Sequence, residues 1–358
     1  MANNAYHICL ALRKHGIDAE IILNSKTFGM GLPMWEELDY YSDPYEFNIE
    51  EALKRFDLPD WIKIWWNKKH TPLHTIPDLY RMVKQYDLLH LHPFSPMYLQ
   101  FANKPYVIHE AGWIRRLANR DTIAEKLGRR AYVRADSVVW TNPDTILLLE
   151  ALCCKRLDYV PFVIDPERYK PMKVEHSDKL LFFHPTRQVW DIKGNNKLIC
   201  AFALFIKDGF KAQLRMVDWG FDDDVRKAKE LVKTLNIESY VEWVLPYTKP
   251  KLIRAYNEAD ATFDQFTIGG SGTIGLEAMS CGSPLVIYML HWTEEAFGEC
   301  PPVVNAHTIQ DIYEKMVILT DSKYRKKMGE AGRRFTMKHC HPDVIAKKLI
   351  NIYEEVIH

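Results

Sequence analysis

The chain has 358 residues, enough for two domains of ordinary size, each with its own core. Basic and acidic residues are equal at 47 each, so no bulk field draws it to nucleic acid or to an anionic membrane. No apolar run reaches the roughly 18 residues of a spanning helix, and the opening "MANNAYHICL" lacks the charged-then-apolar order of a signal peptide.

In chain order, "AEIIL" (19–23), "LLHLH" (88–92), "YVIHE" (106–110), "SVVWT" (137–141) and "DYVPF" (158–162) read as strands of a first block. Between the first two lies "PDWIKIWWNKKH" (59–70), with Trp61, Trp65 and Trp66 among lysines. Such tryptophans stack on sugars, sit at a membrane interface or fill the core; core is the expectation for most of them. "WIRRLANRDTIAEKLGRRAYVR" (113–134) carries seven basic residues against two acids. That is either a solvated helix face or a surface turned to an anionic acceptor or lipid. The polar, two-proline stretch at 164–179 marks the joint to a second block.

There "LLFFHP" (180–185), "LRMVDW" (214–219), "YVEWVL" (240–245), "ATFDQF" (261–266) and "PLVIY" (284–288) are strands, and "VRKAKELVKTLN" (225–236) is a helix. Continuous apolar runs separated by helices predict α/β blocks with parallel sheets buried on both faces. The seven cysteines are odd in number and form no Cys-x-x-Cys pair, so they read as reduced core thiols of a cytosolic protein.

The stretch "ATFDQFTIGGSGTIGLEAMSCGSPLVIY" (261–288) raises the functional question. A strand leads through Gly269, Gly270, Ser271 and Gly272 into a helix over 273–281, which Gly282 closes in the left-handed conformation and Pro284 prevents from continuing. Glycines at a helix mouth on the carboxyl edge of a parallel sheet admit an anion to free N–H groups. Glu277, one turn inside, reaches a neutral hydroxyl-bearing part of that ligand, such as a ribose. The other reading is an ordinary glycine-rich turn with Glu277 solvated; on this segment alone both stand.

Gly270-Ser-Gly272-Thr-Ile-Gly275 satisfies G-x-G-x-x-G, but the next strand, "LVIYML", supplies no acid for a dinucleotide ribose. Glu294 and Glu295 lie beyond it, and no Walker Gly-Lys-Ser/Thr occurs. Arg187 and Lys193, with Gly194 beside the lysine, sit on the loop leaving the first strand of the second block. In a doubly wound sheet such loops converge on one edge, so two cations and a helix mouth form a receptor for a diphosphate. A helix terminus offers an anion about 0.3–2 kcal/mol and a charge-assisted hydrogen bond about 1.5–3 kcal/mol; both parts are needed.

The "R-x(5)-K-G" loop, the "G-x-x-x-L-E-A-M-x-C-G-x-P-L-V" stretch and "YVIHEAG" (106–112) together resemble glycosyltransferase family 4. "YDLLHLH" (86–92) and "VPFVIDPERYKP" (160–171) fall at the expected places, and the likeness runs from about residue 4 to the C-terminus. The resemblance implies a GT-B fold of two Rossmann-like, doubly wound domains facing a cleft. The first would be 1–165, on the acceptor side, and the second 178–338, on the nucleotide-sugar side. Residues 339–358 would form a helix packing back on the first. It implies a retaining, hexosyltransferase-like enzyme of the cytoplasm or the inner membrane face, taking a nucleotide-diphosphate-sugar without a metal or other cofactor. The acceptor would be a sugar, polysaccharide or lipid-linked hydroxyl.

Residue by residue, the likeness implies that Arg187 and Lys193 hold the donor diphosphate and stabilise the leaving group. Gly194 lies beside them, Gly270, Ser271, Gly272 and Thr273 form the backbone cradle, and Glu277 meets the ribose. His109 lines the wall near the transferred sugar and the acceptor, or is a packed strand-end histidine. His90-x-His92 has no evident third ligand and reads as structural. In two places the chain departs from the family. The first carboxylate of the usual Glu-x(7)-Glu pair is replaced by Gly269, a contact left to Gln265 or a backbone amide. The chain also opens on what looks like the first helix and second strand, so the first strand is expected upstream or from another segment. These departures keep a second reading open, a non-catalytic nucleotide-sugar binding or assembly protein. A nucleotide-sugar epimerase would need an acid/base pattern that is not found.

Overall fold

The computed structural model describes residues 3–24, 58–65, 72–175 and 178–358. Trp66 and most of the tryptophan-lysine stretch after it lie outside them. The chain divides into two compact units. One runs to Val163 and takes in Pro342–His358; the other is Ile164–His341.

Among the described residues the first unit holds two parallel sheets. β1 (Ile21–Asn24) pairs with β2 (Ile62–Trp65), and a separate four-stranded sheet has the order β3 (Leu89–Leu91), β4 (Tyr106–Glu110), β5 (Ser137–Trp140), β6 (Leu157–Tyr159). β2 was not expected. Its Trp61-to-Trp65 aromatics masked the two-residue alternation, and only half-burial results: Trp61 stacks on Tyr6 at 5.7 Å and Arg13 lies over its ring. β4 and β5 are buried along their whole length, as continuous apolar runs require. The helix Pro342–Ile357 lays Ile345, Leu349 and Ile352 on Val107 and Val139, together with Ile8 and Leu12 of the helix Asn4–Lys14. Four of the seven basic residues at 113–134 are ion-paired, Arg115 to Asp144, Arg116 to Glu125, and Lys126 and Arg129 to Asp121. This discharges much of the positive face that the composition suggested.

The second unit is one six-stranded parallel sheet. Its strands are β7 (Leu180–His184), β8 (Ala212–Val217), β9 (Val241–Val244), β10 (Ala261–Phe263), β11 (Leu285–Ile287) and β12 (Val304–Asn305). The order is β12-β11-β10-β7-β8-β9. Counted within the unit this is 3-2-1-4-5-6, the doubly wound order whose switch point lies between β7 and β10. "ATFDQF" leaves the sheet at Phe263, three residues earlier than its apolar pattern suggests, because Asp264 and Gln265 turn into loop chemistry. β12, two residues long, carried no pattern to find. The predicted 225–236 helix begins earlier, at Asp222, where three aspartates meet the helix's positive end.

Among the described residues the seven cysteines form no disulfide, but Cys153 and Cys300 are exposed and only Cys9, Cys281 and Cys340 are buried, which corrects the expectation of core thiols throughout. Among the described residues no helix is long and apolar enough to cross a membrane.

Candidate functional site

The loops after β7 and β10 meet at the switch point. After β7, the buried Asn195 side chain accepts from the Val189 amide at 3.0 Å and donates to His184 Nε2 at 2.7 Å, which fixes the loop that carries Arg187 and Lys193. The Lys193 carbonyl accepts from the Phe266 amide at 2.9 Å, and Lys197 Nζ donates to the Phe266 carbonyl at 2.8 Å. Lys193 Nζ lies 2.8 Å from Asp264 Oδ1, with the carboxylate buried and its other oxygen without a partner among the described residues. Gly194 touches the same loop, since a Cβ there would meet Thr267 Oγ1 at 3.0 Å and Phe266 Cβ at 3.1 Å. Arg187 is exposed and rests its guanidinium 6.0 Å from the Phe221 ring, toward the loop after β8. The structure thus brings Lys193 and Gly194 to the start of the loop after β10, at Asp264 to Thr267, and gives Arg187 a different neighbour.

The helix Thr273–Ser280 starts at Gly272 with no side-chain cap. Among the described residues the amides of Gly270, Ser271, Gly272 and Thr273 have no hydrogen-bond acceptor. These are the orphan donors of a helix mouth, and a side chain added at Gly272 would meet nothing within 4 Å. The far end is closed by Gly282, with its amide on the Met279 carbonyl and that of Ser283 on the Ala278 carbonyl, the paired bonds of a Schellman motif.

Two residues read from sequence behave otherwise than expected. Gln265 is fully buried and wholly engaged: Oε1 accepts from the amides of Thr267 and Ile268 at 2.8 Å, and Nε2 donates to the carbonyls of Gly270 and Tyr288. It clamps the loop and has no group left for a sugar. Gly269 has φ 76°, and a Cβ would lie 2.4 Å from Leu290 Cγ. The position of the absent carboxylate therefore accepts no side chain.

Glu277 is not solvated. It is 3% exposed, with Lys249 Nζ on Oε1 and Tyr256 Oη on Oε2 at 3.2 Å. Burial, with the Glu277 carboxylate adding to it, holds the Tyr256 hydroxyl well above its ordinary pKa. Asp264, Lys249 and Tyr256 belong to the site's framework and were missed in the sequence. Asp264 alone gave a signal, a carboxylate at the end of an otherwise apolar strand.

In the first unit, His109 is buried in β4. Its ring lies 4.8 Å from that of His92 and 5.2 Å from that of His90, centroid to centroid. One ligand atom from each of the three falls within 4.8 Å of the others, so His109 is the third member that the sequence did not show. Burial lowers the pKa of all three, that of His92 to about 4, so the rings are neutral. Beside them the buried Glu110 carboxylate accepts from the amides of Gly112 and Ile114 and from Tyr132 Oη, and so shapes the "HEAG" turn. Burial raises its pKa.

Residues 167–335 match the family described as "Glycosyl transferases group 1". None of the curated proteins matches the chain. Among solved structures, sucrose-phosphate synthase from Thermosynechococcus elongatus is similar at a TM-score of 0.71 and 15% identity, over 98% of this chain and 92% of that one. A glycosyltransferase from Rickettsia africae ESF-5 is similar at 0.70 and 14%, over 99% and 94%. Anabaena HepE, in complex with UDP and glucose, is similar at 0.69 and 14%, over 86% and 89%. At such identities the likeness speaks for architecture, and the architecture is GT-B, with two Rossmann-like domains built on parallel sheets.

Proposed function

We propose that the protein is a retaining glycosyltransferase of family 4 type, hexosyltransferase-like, that moves a sugar from a nucleotide-diphosphate-sugar to an acceptor hydroxyl. The observation that carries this reading is the contact of Lys193 and Gly194 with Asp264, Phe266 and Thr267, on the loop that runs on into the uncapped helix Thr273–Ser280, at the switch point of a 3-2-1-4-5-6 sheet. The group 1 match over 167–335 supports it, as do the complexes of HepE with UDP and with UDP-glucose.

On this reading the diphosphate lies against the amides of Gly270 to Thr273 and receives Lys193 and Arg187. As the bond from the anomeric carbon to the diphosphate breaks, the new negative charge is met by donors already in place, with no metal ion. Arg187 turns from Phe221 to do this. Glu277, held by Lys249 and Tyr256, takes the ribose hydroxyls. His109 and its neighbours serve the sugar and acceptor side from the first unit. The acceptor is a glycan, a small molecule or a lipid-linked sugar. In the last case the enzyme works in the cytoplasm at the inner membrane face.

Incubation with labelled UDP- and GDP-sugars, with and without acceptor, tests the proposal: transfer or release of free sugar is expected. One observation favours a second reading. Gly269 excludes the usual carboxylate and Gln265 is occupied, so tight binding of a nucleotide-sugar without turnover would identify a binding or assembly protein.

A further inference from the structure

The hydrogen bonds around the three histidines have only one consistent proton order. The Val163 amide donates to Asn4 Oδ1 at 3.2 Å, which fixes the Asn4 amide and aims Nδ2 at His109 Nε2, 3.0 Å away. A neutral imidazole has one N–H. If Nε2 of His109 accepts, its Nδ1 carries the proton and donates to His90 Nε2, 3.2 Å away. His90 Nε2 is then an acceptor, so His90 Nδ1 carries the proton and donates to Tyr353 Oη at 2.5 Å. Burial keeps the Tyr353 hydroxyl protonated and the rings neutral.

Every nitrogen of His109 and His90 is thereby committed inside the unit. Their lone pairs are committed too, so a metal ion could not draw three ligands here without breaking the chain of bonds. His92 differs. It follows β3 at the carboxyl edge of the sheet, is half-buried, stacks on both other rings, and has no hydrogen bond to either ring nitrogen among the described residues.

We propose that Asn4, His109, His90 and Tyr353 form a positioning chain of fixed proton order, and that His92 is the imidazole of this unit that meets the ligand. A neutral ring with one donor and one acceptor suits a neutral hydroxyl-bearing ligand, a sugar, rather than an anion. This choice of ligand rests on the glycosyltransferase reading; the proton order does not.

The test uses full-length protein labelled with 15N-histidine. Two-bond proton–nitrogen spectra without ligand are expected to show His109 and His90 both protonated on Nδ1. Asn4→Asp, whose carboxylate only accepts, is expected to move both protons to Nε2. An Nε2–H tautomer on either ring of the wild type overturns the chain. Titration with glucose is then expected to shift the His92 ring nitrogens while His90 and His109 keep their tautomers. His92→Ala should weaken glucose about tenfold, one lost hydrogen bond, and His92→Gln should recover part of it. A shift centred on His109, or none at any histidine, overturns the role of His92. UDP binding measured on the same samples separates the two readings: its absence beside a glucose shift at His92 condemns the proposed donor and leaves this inference standing.

Discussion

Lys193 Nζ sits 2.8 Å from Asp264 Oδ1, a cation of the loop after β7 held by a buried carboxylate at the end of β10. The pair fixes the lysine at the end of β10, where the loop toward the helix Thr273–Ser280 begins. Lys193→Ala is expected to weaken UDP tenfold or more, the loss of one charge-assisted contact of about 1.5–3 kcal/mol. It also leaves Asp264 buried without its counter-charge, at a cost of about 3–5 kcal/mol in stability. Adding Asp264→Asn should restore most of the stability and none of the UDP affinity, as read by chemical denaturation and calorimetry. If both recover together, the lysine is a structural partner and no more.

Arg187→Ala removes no ion pair among the described residues and should leave the melting temperature nearly unchanged. UDP affinity is expected to fall by roughly tenfold if the guanidinium leaves Phe221 for the diphosphate. Unchanged affinity would show that Arg187 stays with the loop after β8.

Lys249 and Glu277 are 6% and 3% exposed, so Glu277→Gln strands a buried lysine and should cost about 3–5 kcal/mol. The double variant Lys249→Met, Glu277→Gln is expected to regain most of this. In that background UDP should lose affinity relative to inorganic pyrophosphate, which has no ribose. Parallel losses for the two ligands would remove Glu277 from the ribose site.

Gly269→Glu, which restores the family's carboxylate, should destabilise by about 2–5 kcal/mol, combining the left-handed backbone with the collision at Leu290. Gly272→Ala, with open space around it, should fold normally. Denaturation midpoints distinguish them, and equal midpoints would mean that the loop can rebuild around a side chain.

His184 is fully buried, and burial lowers its pKa from 6.5 to about 4. The unfolded chain takes up the proton first, so this contribution is whole above about pH 6.5 and is lost as the pH falls toward 4, by roughly 3 kcal/mol in all. The wild type should therefore lose more melting temperature between pH 7 and pH 5 than His184→Gln. Identical losses would place the acid sensitivity elsewhere.

The second unit was legible because its strands are continuous apolar runs and its glycine loop has a strand before it and a helix after it. β4 and β5, buried on both faces, were found nearly to the residue for the same reason. β2 was not, because tryptophan among lysine reads as platform, interface or core and carries no strand signal of its own. At the site, sequence put Lys193 and the helix mouth on the loops after β7 and β10, since topology alone brings such loops to one sheet edge. It gave no access to Asp264, Lys249 or Tyr256, whose roles come from pairing across 71, 28 and 21 residues. The histidine triad was hidden likewise: His90 and His92 share a face by spacing, but only strand pairing sets His109 beside them.

The helix Pro342–Ile357 has a consequence for synthesis. It covers Val107 and Val139 and supplies Tyr353 to His90, yet it is separated from them in the chain by the whole of Ile164–His341. The half that is translated first must therefore wait, with an apolar flank uncovered, while the later half is made and folds. Its last layer arrives only after that later half has been translated.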